Sequence, residues 1–267
     1  MLRIVLPTDF SENALHAAKY AVHVCGKEAE YTLLHAYYDV GFVGPDGPAY
    51  GPVVVDAAQE GLERARKRFV EATGAERVGT RLLFGPLAMA VRGLVEDEKA
   101  DLVVMGKRGE TGSLLFGSNT TDVIKNSRVP VLAVPEHVPL HPLQRIVLGD
   151  DHDGSYRADH SMLRMLAARN KAEVIIAHLP VEVPEGADQW SSSMYNVALA
   201  DVPHSFTTAT GDDAVDALER LARRRHCDMV CVLHRHLGFM KRIFNPSTTK
   251  ELALQSDLPL LVLEQKG

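Results

Sequence analysis

The amino-acid sequence predicts an α/β protein built as a tandem duplication, in which each copy is an open five-stranded, mostly parallel sheet with helices on both faces. First, residues 3–9 (RIVLPTD) and 145–151 (RIVLGDD) are nearly identical, and each run ends in an acid. Second, three later pairs of segments match in the same order: AEYTLLHA with AEVIIAHL, DLVVMGKRG with DMVCVLHRH, and VPVLAV with LPLLVL. Third, apolar strand-like runs alternate with helical patterns, which implies parallel pairing through right-handed crossovers.

The length of the chain fits two compact domains. It has 267 residues, which suits two units of ordinary domain size. Three prolines in residues 135–144 (PEHVPLHPLQ) predict a short, stiff linker between the copies. We therefore expect a first domain at residues 1–138 and a second domain at residues 143–267.

Composition and charge exclude several classes of function. The net charge of -6 does not favour nucleic-acid binding, which needs a basic surface. No apolar run reaches the ~20 residues of a membrane span, and residues 1–10 lack a cleavable signal pattern. The three cysteines (Cys25, Cys227 and Cys231) are expected to be reduced, partly buried thiols. These features predict a cytoplasmic protein that binds neither nucleic acid nor membranes.

The first copy alternates strands and helices along its length. Residues 4–6 are apolar without alternation, which predicts a fully buried strand. Residues 14–25 carry apolar side chains at i, i+3, i+4 and i+7, the spacing of an amphipathic helix. A second strand over 31–37 precedes a loop over 40–52, which is rich in glycine and proline. The remaining elements are predicted as helices at 56–73, 86–98 and 119–126, and as strands at 80–84, 102–105 and 131–134.

The second copy repeats this order with one shortened connection. Its second, third and fifth strands are predicted at residues 174–179, 206–209 and 260–263. The segment between the second and third strands is too short for the loop and long helix found in the first copy. We expect one or two helical turns there, or none, and an apolar face near residues 189–195 that is exposed or shielded by this segment or another subunit.

Three elements of the first copy converge on one edge of its predicted sheet. Ligands of open α/β sheets bind at the carboxyl ends of the strands, where the strand order reverses. Strand one ends in Pro7-Thr8-Asp9, strand two ends in His35-Ala36-Tyr37, and strand four leads into a glycine-containing loop. Asp9 could accept a hydrogen bond from an exocyclic amine or a ribose hydroxyl, and it could equally cap the following helix.

The loop after strand four has the composition of a phosphate-binding loop. It runs over residues 105–120 with the sequence MGKRGETGSLLFGSNT. Glycine lets the backbone approach a phosphate closely, and the following helix adds unpaired N–H donors and a positive dipole end. Ser118, Asn119 and Thr120 can cap that helix or bond a phosphate. Lys107 and Arg108 could neutralise charge, or be simply solvated.

With these residues in place, the chain resembles a tandem member of the universal stress protein family, whose domains are Rossmann-like and bind nucleotides. The family's loop is G-x2-G-x9-G-[ST], which Gly106, Gly109 and Gly117-Ser118 match. The strand endings PTDFS and LLHA are also similar to the family, and the resemblance covers the whole chain twice. It implies the strand order 3-2-1-4-5 in each copy and pairing of the two fifth strands within the chain as a pseudo-dimer, with higher association left open.

The resemblance also implies an adenine nucleotide site in the first copy. The ligand would be ATP, with ADP or AMP as alternatives, and Mg²⁺ would be held through the phosphates. Thr8 and Asp9 would lie near the adenine, and Ala36 beside the base. The remaining residues implied for the ribose, the phosphates or the edges of the site are Pro7, Met105, Gly106, Lys107, Arg108, Gly109, Gly117, Ser118, Asn119 and Thr120.

The sequence departs from the family pattern in both copies. Seven residues rather than nine separate Gly109 from Gly117, which leaves the choice between ATP and ADP or AMP open. The second copy has no glycine at the three loop positions, where Leu233, His236 and Pro246 stand instead. Its strand-one end carries Asp150 and Asp151, which we expect to repel a polyanion. The second copy is therefore predicted not to bind a nucleotide.

The histidines of the second copy could form a metal site, but packed or solvated side chains explain them better. His234 and His236 have the i, i+2 spacing that suits zinc, and His204 and His226 lie elsewhere in this copy. Because no cysteine or acid completes a four-ligand set, solvated or packed histidines are the favoured interpretation. The matched His35 and His178 are expected to make structural hydrogen bonds.

Three functions follow from this sequence. We favour a nucleotide-binding stress-response or regulatory module with an unspecified protein partner. A second hypothesis is a slow ATPase or nucleotidyl/phosphoryl transferase, although no G-x4-G-K-[ST] motif or catalytic triad order is present. A third is an interaction protein that has lost nucleotide binding. No catalytic residue is predicted, and at most weak ATP hydrolysis is expected.

Overall fold

A computed structural model describes residues 1–37, 51–107, 118–150, 158–179, 187–211, 214–233 and 258–264. In the first half, strands and helices alternate as the sequence predicts. The strands are β1 (Arg3–Pro7), β2 (Glu30–Tyr37), β3 (Arg77–Phe84), β4 (Leu102–Gly106) and β5 (Val131–Val134). The helices are α1 (Glu12–Cys25), α2 (Gly51–Thr73), α3 (Leu87–Glu98) and α4 (Ser118–Asn126).

The second half has the same alternation. Its strands are β6 (Arg145–Asp150), β7 (Glu173–His178), β8 (His204–Thr208), β9 (Met229–Leu233) and β10 (Leu260–Leu263). Its described helices are α5 (Ser161–Asn170), α6 (Ala187–Ala198) and α7 (Ala214–Arg224).

The strands of both halves form one continuous sheet. Their order is β3-β2-β1-β4-β5-β10-β9-β6-β7-β8, so each half has the predicted order 3-2-1-4-5 and is parallel within itself. The halves join where β5 pairs antiparallel with β10, with Leu132 opposite Leu261. This pairing, which the sequence analysis predicted, covers an apolar edge that would otherwise present unpaired backbone groups.

The duplication extends to individual hydrogen bonds. Asp101 Oδ2 accepts from the Arg3 backbone N–H at 2.8 Å, and Asp228 Oδ2 accepts from the Arg145 backbone N–H at 2.9 Å. In both halves the acid precedes the fourth strand and fastens it to the start of the first. The two copies therefore share a scaffold, and their differences lie in what the strand ends carry.

The core covers both faces of the sheet. Most strand residues of β1, β4, β5, β6, β9 and β10 are less than 9% exposed, as expected for central parallel strands. The three cysteines are free and buried, and burial raises the pKa of Cys25 and of Cys227 to about 12 in each case. These thiols are therefore protonated packing groups at neutral pH, in agreement with the sequence prediction.

The structure corrects the prediction for the connection after β7. Instead of one or two helical turns or none, this segment forms α6, a helix of 12 residues. A helix of this length spans roughly 18 Å. It fits into the connection because it is not preceded by a long loop. Tyr195 on α6 and Leu199, which directly follows the helix, are 1% and 0% exposed, so this segment is anchored to the core by a few large side chains. Met194 and Val197 on the same helix are 39% and 74% exposed.

Smaller boundary differences occur at the third strands. The third strand of the first half begins at Arg77, three residues before the predicted start, and that of the second half is His204–Thr208 rather than 206–209. Both strands lie at edges of the sheet, where polar side chains weaken the apolar signal. None of the described helices is long and apolar enough to cross a membrane.

Candidate functional site

The turn after β1 is fixed by its own polar side chains. Thr8 N–H donates to Leu34 O at 2.8 Å, and Thr8 Oγ1 accepts from Phe10 N–H at 3.0 Å. Asp9 Oδ1 accepts from the N–H and the hydroxyl of Ser11 at 3.1 and 2.5 Å. Ser11 Oγ in turn accepts from Ala14 N–H at 3.1 Å, so Ser11 rather than Asp9 is the N-cap of α1. The Asp9 carboxylate is exposed and keeps a second oxygen for a ligand.

At the end of β4, a side chain of α1 lies close to the backbone of Gly106. A Cβ placed on Gly106 would lie 2.7 Å from Nδ2 and 3.0 Å from Cγ of Asn13. Gly106 O accepts from Thr120 Oγ1 at 3.0 Å, which ties the first turn of α4 to the end of the strand. The N-terminus of α4, with its N–H donors and positive dipole end, therefore lies beside the carboxyl end of β4.

These strand ends line one cleft, which has a volume of about 680 Å³ including the part open to solvent. Residues from the ends of β1, β2 and β4 and from the first turn of α4 meet there, as the sequence predicted. The predicted site residues that line the cleft are Pro7, Thr8, Asp9, Ala36, Met105, Gly106, Ser118, Asn119 and Thr120.

Of the predicted site residues that the structure describes, Lys107 alone is not among those that line the cleft. Lys107 is 5% exposed, and its N–H donates to Val134 O at 2.7 Å, so its position follows the strand pairing rather than the cleft. Arg108, Gly109 and Gly117 lie outside the described residues.

Four lining residues were not in the predicted set: Ser11, Ala14, His35 and Leu87. Ser11 follows from the capping pattern PTDFS, and Ala14 from its place one turn later. His35 makes the structural hydrogen bond that the sequence analysis expected, because its Nδ1 lies 2.8 Å from Thr8 O. It also lines the cleft, in agreement with the predicted place of residues 35–37 at this edge of the sheet. No sequence signal marked Leu87.

The corresponding strand ends of the second half are packed instead of open. Asp150 occupies the place of Thr8 and is 0% exposed. Its Oδ2 lies 3.1 Å from His178 Nδ1, and its Oδ1 accepts from the Tyr195 hydroxyl at 3.3 Å. The carboxylate is therefore part of a polar cluster in the core, and its repulsion of a polyanion stays a prediction. Asp151 lies outside the described residues.

Apolar side chains complete this packing. A Cβ on Gly149 would lie 3.1 Å from Leu218 Cδ2 and 3.5 Å from Leu179 Cδ1, so the two leucines press on the end of β6. Leu233, at the position equivalent to Gly106, is 2% exposed. The loop positions His236 and Pro246 are outside the described residues.

The described histidines of the second half do not form a metal site. Both ring nitrogens of His204 are engaged at 2.8 Å, one with Val202 O and one with Asn196 Oδ1. Within the described part of the chain, no three His, Cys, Asp or Glu residues are grouped so that they could hold a metal ion. His234 and His236 lie beyond that part.

His160, which precedes α5, is a buried histidine that the sequence analysis did not single out. Its ring packs edge-on against Tyr195 with centroids 5.2 Å apart, and its residue is 6% exposed. Burial lowers the pKa of His160, so the ring is neutral at physiological pH. It therefore belongs to the packed end of the second half.

Comparisons with known proteins agree with the geometry. The family model of the universal stress protein family matches residues 1–135 and 142–264. Universal stress protein MJ0531 of Methanocaldococcus jannaschii is 36% identical over 141 residues, which cover 49% of this chain and 81% of that protein. A universal stress protein of Thermus aquaticus is 37% identical over 138 residues, covering 49% and 96%.

A solved structure shows that the tandem arrangement of the fold occurs elsewhere. The crystal structure of a universal stress protein from Archaeoglobus fulgidus has a TM-score of 0.73 and 22% identity, and the match covers 98% of this chain and 96% of that one. Because the family model matches both halves and nearly the whole length, the chain belongs to the universal stress protein family and carries two of its domains in tandem.

Proposed function

We propose that the first half binds one adenine nucleotide, ATP in the first place, and that its occupancy makes the protein a stress-response or regulatory module. The observation that carries this proposal is the cleft at the carboxyl ends of β1, β2 and β4. Nine of the residues assigned to the nucleotide from the sequence alone meet there, whereas the same strand ends of the second half are packed.

The two ends of the cleft suit the two ends of a nucleotide. At one end, the exposed Asp9 carboxylate can accept from an exocyclic amine or a ribose hydroxyl, and the small apolar Ala36 also lines the cleft, where it suits a base. At the other end, Ser118, Asn119 and Thr120 offer hydroxyl, amide and backbone N–H donors at the N-terminus of α4, where a phosphate is favoured. Gly106 lies between these ends and lets a ribose approach the backbone.

Mg²⁺ would be bound through the phosphates of the nucleotide rather than by a dedicated set of side chains. Asp9 is the one carboxylate among the residues that line the described cleft, and this argues for binding over efficient hydrolysis. Slow hydrolysis or group transfer remains the second hypothesis, and phosphate release per hour from ATP measures it directly.

The test is a calorimetric titration of the full chain with ATP and Mg²⁺, combined with mass spectrometry of any nucleotide that co-purifies. We expect a stoichiometry near one per chain and an adenine nucleotide in the purified protein. A stoichiometry near two would contradict the assignment of the second half. No binding, and no rise in melting temperature on adding ATP, would support the hypothesis of an interaction protein that has lost its ligand.

A further inference from the structure

We propose that Phe10 and His35, although outside the set of residues expected to touch the nucleotide, position the base-binding turn of the first half and thereby set its affinity for the base. This inference rests on the proposed function, because it concerns the same cleft. It assigns a role to two rings and to one glycine of α2, Gly61, that family membership alone does not assign.

The backbone of Phe10 is held in an unusual conformation. Its φ is 69°, in the left-handed region that non-glycine residues adopt only at a steric cost. Its N–H is bonded to Thr8 Oγ1 at 3.0 Å. This conformation turns the chain sharply after Asp9, so that Thr8 and Asp9 line the cleft while the Phe10 ring lies behind them. Such a conformation persists when surrounding contacts fix it.

The contacts that fix it are ring packing on both sides. The Phe10 ring stacks on the His35 ring with a centroid distance of 4.3 Å and an interplanar angle of 28°. On the other side, a Cβ placed on Gly61 of α2 would lie 3.0 Å from Cε2 of Phe10. The absence of a side chain at Gly61 therefore creates the space in which the ring lies.

His35 transmits this packing to the turn. Its Nδ1 lies 2.8 Å from Thr8 O, and because a carbonyl oxygen only accepts, Nδ1 carries the proton. The ring of His35 also lines the cleft. A chain of contacts thus runs from Gly61 through Phe10 and His35 to the carbonyl of Thr8, which immediately precedes Asp9. Loss of the stack is expected to loosen the base end of the cleft and leave the phosphate end intact.

The second half provides a matched control. There His178, the equivalent of His35, stacks on Phe206 with a centroid distance of 6.0 Å and an interplanar angle of 10°. The Nδ1 atom of His178 lies 3.1 Å from Oδ2 of the buried Asp150. Phe206→Ala therefore removes the aromatic ring that stacks on His178, in the half that is not expected to bind a nucleotide.

The experiment measures two dissociation constants for the full chain and its variants by competition: that of ATP, and that of inorganic tripolyphosphate, which carries phosphates without a base. For Phe10→Ala we expect the Kd of ATP to rise roughly 10-fold, about 1.4 kcal/mol, with the Kd of tripolyphosphate unchanged. Phe10→Tyr, which keeps the ring, should restore ATP binding, and Phe206→Ala should change neither constant.

A second pair of variants tests the same contacts without removing a ring. Gly61→Ala and Gly93→Ala both replace a helical glycine, but only the first meets a neighbour, since no atom lies within 4 Å of a Cβ on Gly93. Gly61→Ala should weaken ATP binding, and Gly93→Ala should leave it unchanged. This pair decides the matter if Phe10→Ala does not fold.

If the folded Phe10→Ala and Gly61→Ala variants bind ATP as tightly as the unmodified chain, the positioning role is overturned. It is also overturned if these variants lose ATP and tripolyphosphate binding in parallel. Both outcomes are distinct from failure of the proposed function, in which the unmodified chain itself does not bind ATP.

Discussion

The two halves of this protein share one scaffold but end their strands differently. In the first half, Thr8 and Gly106 leave the carboxyl edge of the sheet open as a cleft. In the second half, the equivalent Asp150 and Leu233 are 0% and 2% exposed and belong to the core. The comparison teaches that a parallel α/β sheet does not by itself make a binding site.

In the second half, the described strand ends are packed by side chains of the chain itself. The Asp150 carboxylate is satisfied by His178 and Tyr195, where α6 supplies the tyrosine. Burying a carboxylate without such partners would cost folding free energy. The tyrosine from α6 therefore helps to keep Asp150 buried at the end of β6. The exposed Met194 and Val197 form the outer side of that helix.

The largest expected effect comes from giving the first half the residue of the second. Gly106→Leu should weaken ATP binding roughly 100-fold or more, because the new side chain overlaps Asn13 and enters the cleft. The measurement is calorimetry on the folded variant. Gly79→Leu is the control, since a Cβ there meets only Thr32 Oγ1 at 3.9 Å. Unchanged affinity in Gly106→Leu would place the nucleotide elsewhere.

Separating the halves tests whether the second copy substitutes for a second subunit. We predict that residues 1–138 alone form a dimer through β5, because removal of β10 exposes the buried edge Val131–Val134. Light scattering after gel filtration measures the mass. A fragment that is monomeric and does not aggregate would count against this role of the second copy.

Removing the buried carboxylate of the second half should destabilise the protein strongly. Asp150→Ala leaves His178 and Tyr195 without their partner and should lower the free energy of unfolding by about 3 kcal/mol. Urea unfolding measures this loss. Asp9→Ala, at the neighbouring position of the first half, removes exposed hydrogen bonds to Ser11 and should cost only about 1 kcal/mol while weakening ATP binding. An unchanged free energy of unfolding in Asp150→Ala would show that the contacts of Asp150 with His178 and Tyr195 do not stabilise the protein.

The smallest expected effect is a pH dependence at the end of β10. Burial raises the pKa of Glu264, which stands where the first half has Pro135, from 4.5 to about 7. The folded protein therefore binds more protons than the unfolded chain between pH 4.5 and about 7, and stability falls as pH rises through that window. Glu264→Gln should remove this fall, and the exposed Glu136→Gln should not, when urea midpoints are compared at pH 5 and pH 8. If the urea midpoints of the unmodified chain and of Glu264→Gln change equally between pH 5 and pH 8, Glu264 is not the source of the pH dependence.

The sequence alone determined the tandem α/β scaffold and most of the cleft. Repeated strand-and-helix periodicities are local signals, because a buried strand must be apolar and a packed helix must carry an apolar stripe. The positions of Thr8, Asp9 and Gly106 follow from the rule that carboxyl ends of parallel strands meet at one edge. The absence of the loop glycines from the second half could also be read from the sequence.

Only the tertiary structure decided what fills the second edge and what supports the first. Asp150 becomes a core residue because α6, from a connection expected to hold at most two turns, places Tyr195 against it. Phe10 and Gly61 are brought together by the packing of α2 on the turn after β1. Contacts between residues so far apart in the chain carry no local pattern, since they depend on how complete elements pack, and this is why the periodicity of the sequence could not reveal them.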